Sequence, residues 1–485
     1  MKKAIVSSYT KDDGLLNSAK KLVQCDYTVF STGGTYRFLH EADIAVKELA
    51  DLTGFDTLAD QRVKTLSPVI YEAILSPSLR EDHPLFGLKV VLVDLYPFPR
   101  AGEFEKHREL IDIGGVTLLR ASAKNIPHVL PFLNSGDLID FLDGVEISPE
   151  SLSKKVFSFT SYYDSVIASS ISASDLRIDH SAIALEKVCE ASYGENPGER
   201  GEVFSFDPSG LCRLKVVTAI EGVSFNNYYD AWIAYEAAGG RTKPAAAVVK
   251  HGNPVGAAFA DSIEEAFEKA MSTDPVSAFG GIIALNREPD RELVLKLREH
   301  FMEVLIVPAL SEECISLLFE KRKNLRIFIG EYAEGSPIIS MRGFAGTLLV
   351  NSRIPAAANY KIVSECNSPA PSDHMIDFGI SLLRLYTSNS ILLIKNNCVI
   401  GAGFGFPNRI EAMQRAILQA GDAAEGAMLL SDGFFPFADS IEIAAEAKIG
   451  WIIQPGGSLK DKKVIKRAKE LGIGMMLTGE RYFRH

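Results

Sequence analysis

The sequence predicts an α/β protein built on a mostly parallel sheet, and three observations carry that reading. Short β-branched runs alternate with stretches of helical spacing from the first residues onward. The run KVVLVDLYP at 89–97 is apolar enough to be buried on both faces, as a central parallel strand must be. The composition, 47% hydrophobic and 23% charged, is that of a folded soluble chain. At 485 residues the chain is too long for one ordinary domain, and two or three are expected.

Taken in order, AIVSS at 4–8 reads as a first strand. Leu15, Leu16, Ala19 and Leu22 then recur at helical spacing, and YTVFS at 27–31 is a second strand before the one at 89–97. Residues 164–191 look helical, and SYGENPGER holds no long apolar element and reads as a loop. In VVKHGNPVGAAF, Val248 and Val249 end a buried strand, and Pro254, Gly252 and Gly256 shape the loop after it. DSIEEAFEKA is a helix that Asp261 can cap, with Glu264 at the reciprocal position and Ile263, Ala266, Phe267 and Ala270 on one face. The segment 351–373 is rich in Pro, Ser and Asn and is the best internal linker. Boundaries near 190 and 360 divide the chain into 1–190, 191–360 and 361–485, and no short internal repeat is visible.

The charge balance excludes several classes. A formal charge of −11, with no cluster of four or more Lys and Arg, argues against a nucleic-acid partner. The six cysteines form no close pair, which speaks against a disulfide framework and a thiolate zinc site and for a reducing, cytoplasmic setting. MKKAIVSSYTKDDG has too short an apolar core for a signal peptide, and no apolar run of about 18 residues predicts a membrane span. GxGxxG and GxxxxGK[ST] are both absent, which counts against a nicotinamide dinucleotide fold and a P-loop ATPase. The nine histidines include no HExxH and no close pair, so no catalytic metal is expected.

Candidate chemistry collects at the polar strand ends, where parallel sheets bind ligands. YTVFSTGGTYRFL carries Ser31, Gly33, Gly34 and Thr35 into a helix start, where amides and hydroxyls could meet an anion, although such a turn is more often just a turn. QRVKTLSP offers Arg62, Lys64 and Thr65; DLYPF offers Asp94 and Tyr96; LIDIGGVTLLRASAKN offers Asp112, Gly114, Gly115 and Lys124. Each charge could equally be a solvated loop residue, and Tyr96 a rim packing residue. Periodicity does not bring Lys64, Asp112 and Lys124 together. Lys250–His251, at a strand end, is either a surface turn or a reaction centre.

The ordered set STGGT, RVKTL, DLYPF, IDIGGVTLLRASAKN, SYGENP, VVKHGNPVG, DPVSAFGG, SDGFFPF, QPGGS and the terminal FRH resembles the bifunctional purine-biosynthesis family. That family joins phosphoribosylaminoimidazolecarboxamide formyltransferase to IMP cyclohydrolase. The resemblance runs from residue 4 to residue 485. It implies a methylglyoxal-synthase-like α/β domain in 1–190 and two cytidine-deaminase-like α/β subdomains after it, although the zinc deaminase pattern HxE…PCxxC is missing. For the first domain it implies ring closure of the formylated aminoimidazole carboxamide ribotide by Lys64, Tyr96, Asp112 and Lys124. Lys11, Ser31, Gly33, Gly34, Thr35, Arg62, Thr65, Gly114 and Gly115 would line the nucleotide pocket. For the remainder it implies formyl transfer from 10-formyltetrahydrofolate, a co-substrate. His251 would be the proton acceptor, Lys250 would aid the leaving folate, the Asn389 amide would hold the formyl oxygen, and His485 would sit in the substrate site. Tyr193, Asn226, Asn227, Arg342, Arg409, Phe434 and Asp439 match positions around substrate or folate. A homodimer with the transferase site at its interface is the implied assembly.

The chain departs from the family pattern at Ser67, at SSYTKDDG, and at Ser192, Gly198, Phe404 and Phe406. Ser192 stands where an arginine is expected to meet a phosphate, a bidentate contact that serine does not supply. These changes leave two alternatives beside the bifunctional enzyme. One is a cyclohydrolase with a degenerate transferase region serving as a folate-binding or structural partner. The other is a non-enzymatic binding module, which retention of Lys64, Asp112, Lys124, Lys250, His251 and Asn389 disfavours.

Overall fold

A computed structural model of the chain describes residues 2–54, 65–76, 78–99, 104–171, 182–205, 214–220, 222–239, 241–332, 338–345, 347–353 and 359–485. It divides into two compact units, Met1–Leu185 and Glu186–His485.

In the first unit, strands β1 (Lys2–Ser8), β2 (Tyr27–Ser31), β3 (Val46–Glu48), β4 (Leu88–Asp94) and β5 (Leu130–Phe132) form one parallel sheet in the order β3-β2-β1-β4-β5. Ala4, Ile5 and Val6 of β1 and Val90 to Val93 of β4 are buried, because helices cover both faces. The helix Asp13–Gln24 starts where the Asp12 carboxylate accepts the Leu15 N–H at 2.9 Å, and it buries Leu15, Ala19 and Leu22. The 22-residue helix Pro149–Ser170 buries Leu152, Val156, Tyr163 and Val166.

The second unit holds an antiparallel ribbon of β6 (Glu186–Ala191) and β7 (Gly201–Ser205), so the helical reading of 164–191 fails at its end, where a strand forms. Then come β8 (Lys215–Thr218), β9 (Ala245–Lys250), β10 (Asn253–Phe259), β11 (Gly281–Leu285), β12 (Met302–Val307) and β13 (Arg326–Ile329). A second ribbon pairs β14 (Ile338–Phe344) with β15 (Thr347–Arg353). The chain ends with β16 (Lys361–Ser364), β17 (Ile391–Lys395), β18 (Cys398–Gly403), β19 (Met428–Ser431), β20 (Trp451–Gln454) and β21 (Gly474–Leu477).

Apart from the ribbons these strands form one twelve-stranded sheet, ordered β16-β21-β20-β19-β17-β18-β10-β9-β11-β12-β13-β8. Read outward from its centre, β10-β9-β11-β12-β13-β8 and β18-β17-β19-β20-β21-β16 have the same connections and the same parallel and antiparallel neighbours. The unit is an internal duplication joined antiparallel through Ala258 and Cys398. The sequence reading missed a trace of it: VVKHGNPVGAAF at 248–259 and LIKNNCVIGAGF at 393–404 share Lys250/Lys395, Gly256/Gly401, Ala257/Ala402 and Phe259/Phe404 on the matching hairpins. Close packing repeats as well. A Cβ on Gly256 of β10 would run into the Ala270 carbonyl, and one on Gly401 of β18 into the Ala416 carbonyl, each at the same helix-on-hairpin crossing.

The helix at 263 corrects one expectation. Its cap is Ser262, whose hydroxyl accepts the Glu265 N–H at 3.1 Å, and Asp261 pairs with Lys243 at 3.0 Å instead.

Candidate active sites

In the first unit the sequence-predicted groups gather at the carboxyl ends of β1, β2 and β4, where the parallel sheet opens. The helix Gly33–Glu41 follows β2 after one residue, so the N–H groups of Gly33 and Gly34 lie in its unbonded first turn. The Lys11 ammonium reaches the Thr35 hydroxyl at 3.1 Å and the Ser8 carbonyl. The two hydroxyls expected as anion donors are otherwise engaged. Buried Ser31 donates to the Val6 carbonyl at 2.7 Å, and buried Thr35 donates to the Ser8 carbonyl at 3.0 Å. They shape the strand ends, and the Lys11 ammonium is likewise held there by the Ser8 and Tyr9 carbonyls and the Thr35 hydroxyl.

Asp112 sits just before the helix Gly114–Lys124 and accepts the Gly115 N–H at 2.7 Å. Its own N–H donates to the Tyr163 hydroxyl at 2.9 Å. Burial raises its pKa above the usual aspartate value; the Gly115 and Tyr96 backbone amides oppose that, and the charge of Asp94 adds to it. Asp94, at the end of β4, accepts from the Thr10 N–H at 2.8 Å and the Ser8 hydroxyl at 3.1 Å. Tyr96 is exposed and tilts against Tyr9, ring centroids 5.2 Å apart. A Cβ on Gly114 would lie 2.6 Å from the hydroxyl oxygen of buried Thr65, and one on Gly115 2.7 Å from Asp112, so both glycines are there for close approach. Lys124 is not brought to this cluster. It ends the same helix, exposed, about 15 Å along the axis from Gly114 by the helical rise. Lys64 and Arg62 lie outside the described residues.

In the second unit β9 ends at Lys250, and His251–Gly252 closes it onto β10 as a two-residue hairpin turn, shorter than the expected loop, since Pro254 and Gly256 already belong to β10. His251 has φ 51° and Gly252 φ 75°, the left-handed pair that such a turn requires. The Lys250 ammonium donates to the Phe279 carbonyl at 2.7 Å, and the imidazole is exposed. Since β10 pairs with β18 next to β17, the same end of the sheet carries Asn389, before β17, and Phe404 to Arg409, after β18. The Asn389 amide, expected as an oxyanion donor, gives its Nδ2 to the carbonyls of Phe406 at 3.0 Å and Pro407 at 3.2 Å. Arg409 pairs at 3.1 Å with fully buried Asp432, which also accepts the Ser390 N–H at 3.1 Å.

The C-terminal residues lie across this end. Arg409 and Arg481 each approach the exposed Phe483 ring at 5.3 Å, and His485 is exposed with its ring 5.7 Å from Phe483. Arg484 donates to the Gly252 carbonyl at 3.2 Å, the Leu385 carbonyl and the Tyr229 hydroxyl. Phe434 is half-buried, and exposed Asp439 opens the helix Asp439–Glu446. Asn226 donates to the Glu195 carbonyl at 3.0 Å, tying the SYGENP loop, with exposed Tyr193, to the helix Phe225–Ala238, in which Asn227 is buried. Arg342 is exposed on the separate β14–β15 ribbon.

Sequence reasoning missed Asp230, Asp432 and Arg484. Asp230 receives the backbone N–H groups of both His251, at 3.0 Å, and Gly252, at 2.6 Å. It stands 21 residues from His251, and no local pattern links the two. Among the described residues no group of three or more His, Cys, Asp or Glu is arranged to hold a metal ion, and no helix is long and apolar enough to cross a membrane.

Comparison with known proteins finds two family models, the second of which begins inside the first unit and runs into the other. Residues 14–118 match the family model of the MGS-like domain, and residues 122–419 match that of the AICARFT/IMPCHase bienzyme. The chain is 36% identical over 513 residues to the bifunctional purine biosynthesis protein PurH of Caldicellulosiruptor saccharolyticus, 36% over 511 to that of Aquifex aeolicus and 35% over 517 to that of Anoxybacillus flavithermus. Each alignment covers 100% of both chains. With a bienzyme model matched across both units and relatives aligned end to end, this chain belongs to the AICARFT/IMPCHase bienzyme family.

Proposed function

We propose that this chain carries out the last two steps of IMP synthesis, formyl transfer to 5-aminoimidazole-4-carboxamide ribotide and dehydrative ring closure. The observation that carries the transferase reading is the convergence of the His251 turn, Asn389 and the C-terminal tail at one end of the twelve-stranded sheet. In the transfer, the ribotide amine attacks the formyl carbon of 10-formyltetrahydrofolate while His251 takes its proton. The Asn389 amide exchanges its backbone carbonyls for the developing oxyanion, and Lys250 aids departure of the folate nitrogen. The exposed Phe483 and Phe437 rings, the latter under Lys460 at 3.8 Å, offer flat apolar faces suited to the folate.

In the closure, the carboxamide nitrogen attacks the formyl carbon, a C–N bond forms, and the formyl oxygen leaves as water. Both partners are in one molecule, so orientation and proton handling dominate. Asp112 accepts the amide proton, Tyr96 hydrogen-bonds the adduct, Lys64 meets charge on the formyl oxygen, and the Gly33–Gly34 turn with Lys11 holds the phosphate. The reading of Lys124 as a fourth catalytic group has the least support, because a helix length separates it from Asp112.

A cytoplasmic homodimer is the assembly we favour. It is supported by free Cys25, Cys189, Cys314, Cys366 and Cys398 and by exposed Leu348, Leu349 and Val350 on the β14–β15 ribbon. The direct test mixes purified protein, the ribotide and 10-formyltetrahydrofolate, and follows tetrahydrofolate release and IMP separately. Tetrahydrofolate without IMP, or neither product, would refute the two-step reading. Closure of preformed formyl ribotide without transfer would leave a cyclohydrolase alone.

A further inference from the structure

We infer that Asp230 is a positioning residue of the transferase, holding the His251 imidazole in place by gripping the turn that carries it. The inference rests on the reading of His251 as the proton acceptor.

The turn asks for two consecutive left-handed residues, φ 51° at His251 and φ 75° at Gly252. Glycine accepts that conformation freely, whereas histidine, like any residue with a Cβ, does so at some cost. Asp230, in the helix Phe225–Ala238, supplies the compensation. Its Oδ2 accepts the His251 N–H at 3.0 Å and its Oδ1 accepts the Gly252 N–H at 2.6 Å. One carboxylate therefore fixes two successive peptide planes, and with them the direction in which the His251 side chain leaves the backbone. Arg484 holds the other face of the turn through the Gly252 carbonyl at 3.2 Å, while the same guanidinium reaches the Leu385 carbonyl and the Tyr229 hydroxyl.

The internal duplication provides a built-in comparison. The hairpin matching β9–β10 is β17–β18, whose turn residues Asn396 and Asn397 have φ 51° and 64°. Asparagine tolerates the left-handed region without outside help. The matching helices are capped by Ser224 and Ser372, and the sixth residue after each cap is Asp230 in one and Phe378 in the other. Phe378 packs edge-on against Phe259 at 5.1 Å and sits under Arg241, as part of the core. The same turn thus forms in the second half with no carboxylate beneath it. Asp230 is present in the half whose turn presents a histidine, which ties the carboxylate to that side chain, and the cycle below separates positioning from support of the turn alone.

The test is a double-mutant cycle in the full-length protein, reading transferase kcat and KM with ribotide and 10-formyltetrahydrofolate. Asp230→Asn leaves one acceptor oxygen for two N–H donors. The expected result is a kcat loss of about 10²-fold, the scale of a misplaced catalytic group, with KM values within about threefold. In a His251→Ala background the same substitution should cost less than about twofold, because nothing is left to position. Ring closure of preformed formyl ribotide, measured on the same samples, should stay at the parental rate. An equal loss in both backgrounds would make Asp230 structural only and overturn the inference, as would an unchanged kcat in Asp230→Asn. Parental turnover in His251→Ala alone would instead refute the base assignment beneath it. Should Asp230→Asn fail to fold, Asp230→Glu, which keeps both acceptor oxygens but displaces them by one methylene, carries the same cycle, with the same outcomes deciding.

Discussion

At the level of single residues, what decides each role is the set of groups a side chain is already bonded to. His251 is exposed at a fixed turn, and its replacement by Ala leaves Asn389, Arg409 and Phe483 in place. Transferase kcat should fall by roughly 10²- to 10⁴-fold, the usual scale for a general base, with little change in substrate binding. Steady-state kinetics on a variant with intact ring closure checks this, and turnover within a few-fold of the parent would return Lys250–His251 to a structural turn. Lys64→Met should slow ring closure by about 10²-fold or more and leave formyl transfer nearly unchanged. Closure of preformed formyl ribotide at the parental rate would remove Lys64 from the mechanism.

Asp112 carries a pH prediction. Burial raises its pKa, and the nearby charge of Asp94 raises it further. An ionised Asp112 acting as proton acceptor is therefore lost, as pH falls, at a value above the ordinary aspartate range. Asp94→Asn removes one upward influence, so the acid limb of kcat/KM for ring closure should move to lower pH. A limb that stays put or moves upward would contradict the arrangement.

At the level of elements, the two halves of the large sheet repeat one packing solution: a hairpin strand so close to the helix above it that only glycine fits. Gly256→Ala would drive a methyl into the Ala270 carbonyl, and neither strand nor helix can yield without disturbing its own ladder. The expected cost is about 3 kcal/mol, measured by denaturant unfolding. Gly401→Ala should cost a similar amount, since its Cβ meets the Ala416 carbonyl in the matching place. The glycines of VVKHGNPVG were legible as loop-formers, yet only Gly252 serves the turn. Gly256 belongs to the strand, and its need for glycine comes from a helix that the sequence places after it.

At the level of the whole molecule, Arg241 links the halves of the duplicated unit. Its guanidinium donates to the Ala237 carbonyl and, at 2.7 Å, to the Ser381 hydroxyl, and it lies 4.8 Å over the Phe378 ring. Burial lowers its pKa to about 10, against the raising influence of Asp377 and Glu236, so it remains charged at neutral pH. Arg241→Ala should destabilise the protein by about 2–4 kcal/mol, through unpaired polar groups and lost packing between the halves. Thermal unfolding would show it, and a change below about 0.5 kcal/mol would mean the halves are held by the sheet alone.

The α/β class, the strands at 4–8 and 27–31 and the helical face of Leu15, Ala19 and Leu22 were legible in the sequence, because burial on a repeating element leaves a periodic trace; the central strand read at 89–97 was legible too, but it ends at Asp94. The sequence also marked Lys250–His251, Asp112 and the STGGT turn as strand-end chemistry. The fold, in contrast, spends the Ser31 and Thr35 hydroxyls on backbone carbonyls, sets Lys124 a helix length from Asp112, and rests the Asn389 amide on Phe406 and Pro407. It made the duplication plain where the sequence holds only four identities between the two hairpins, and it revealed the grip of Asp230 and Arg484 on one turn from 21 and 232 residues away. The reason is physical. A periodic pattern reports which side of its own element a residue faces, whereas a hydrogen-bond partner is chosen by where distant elements come to rest.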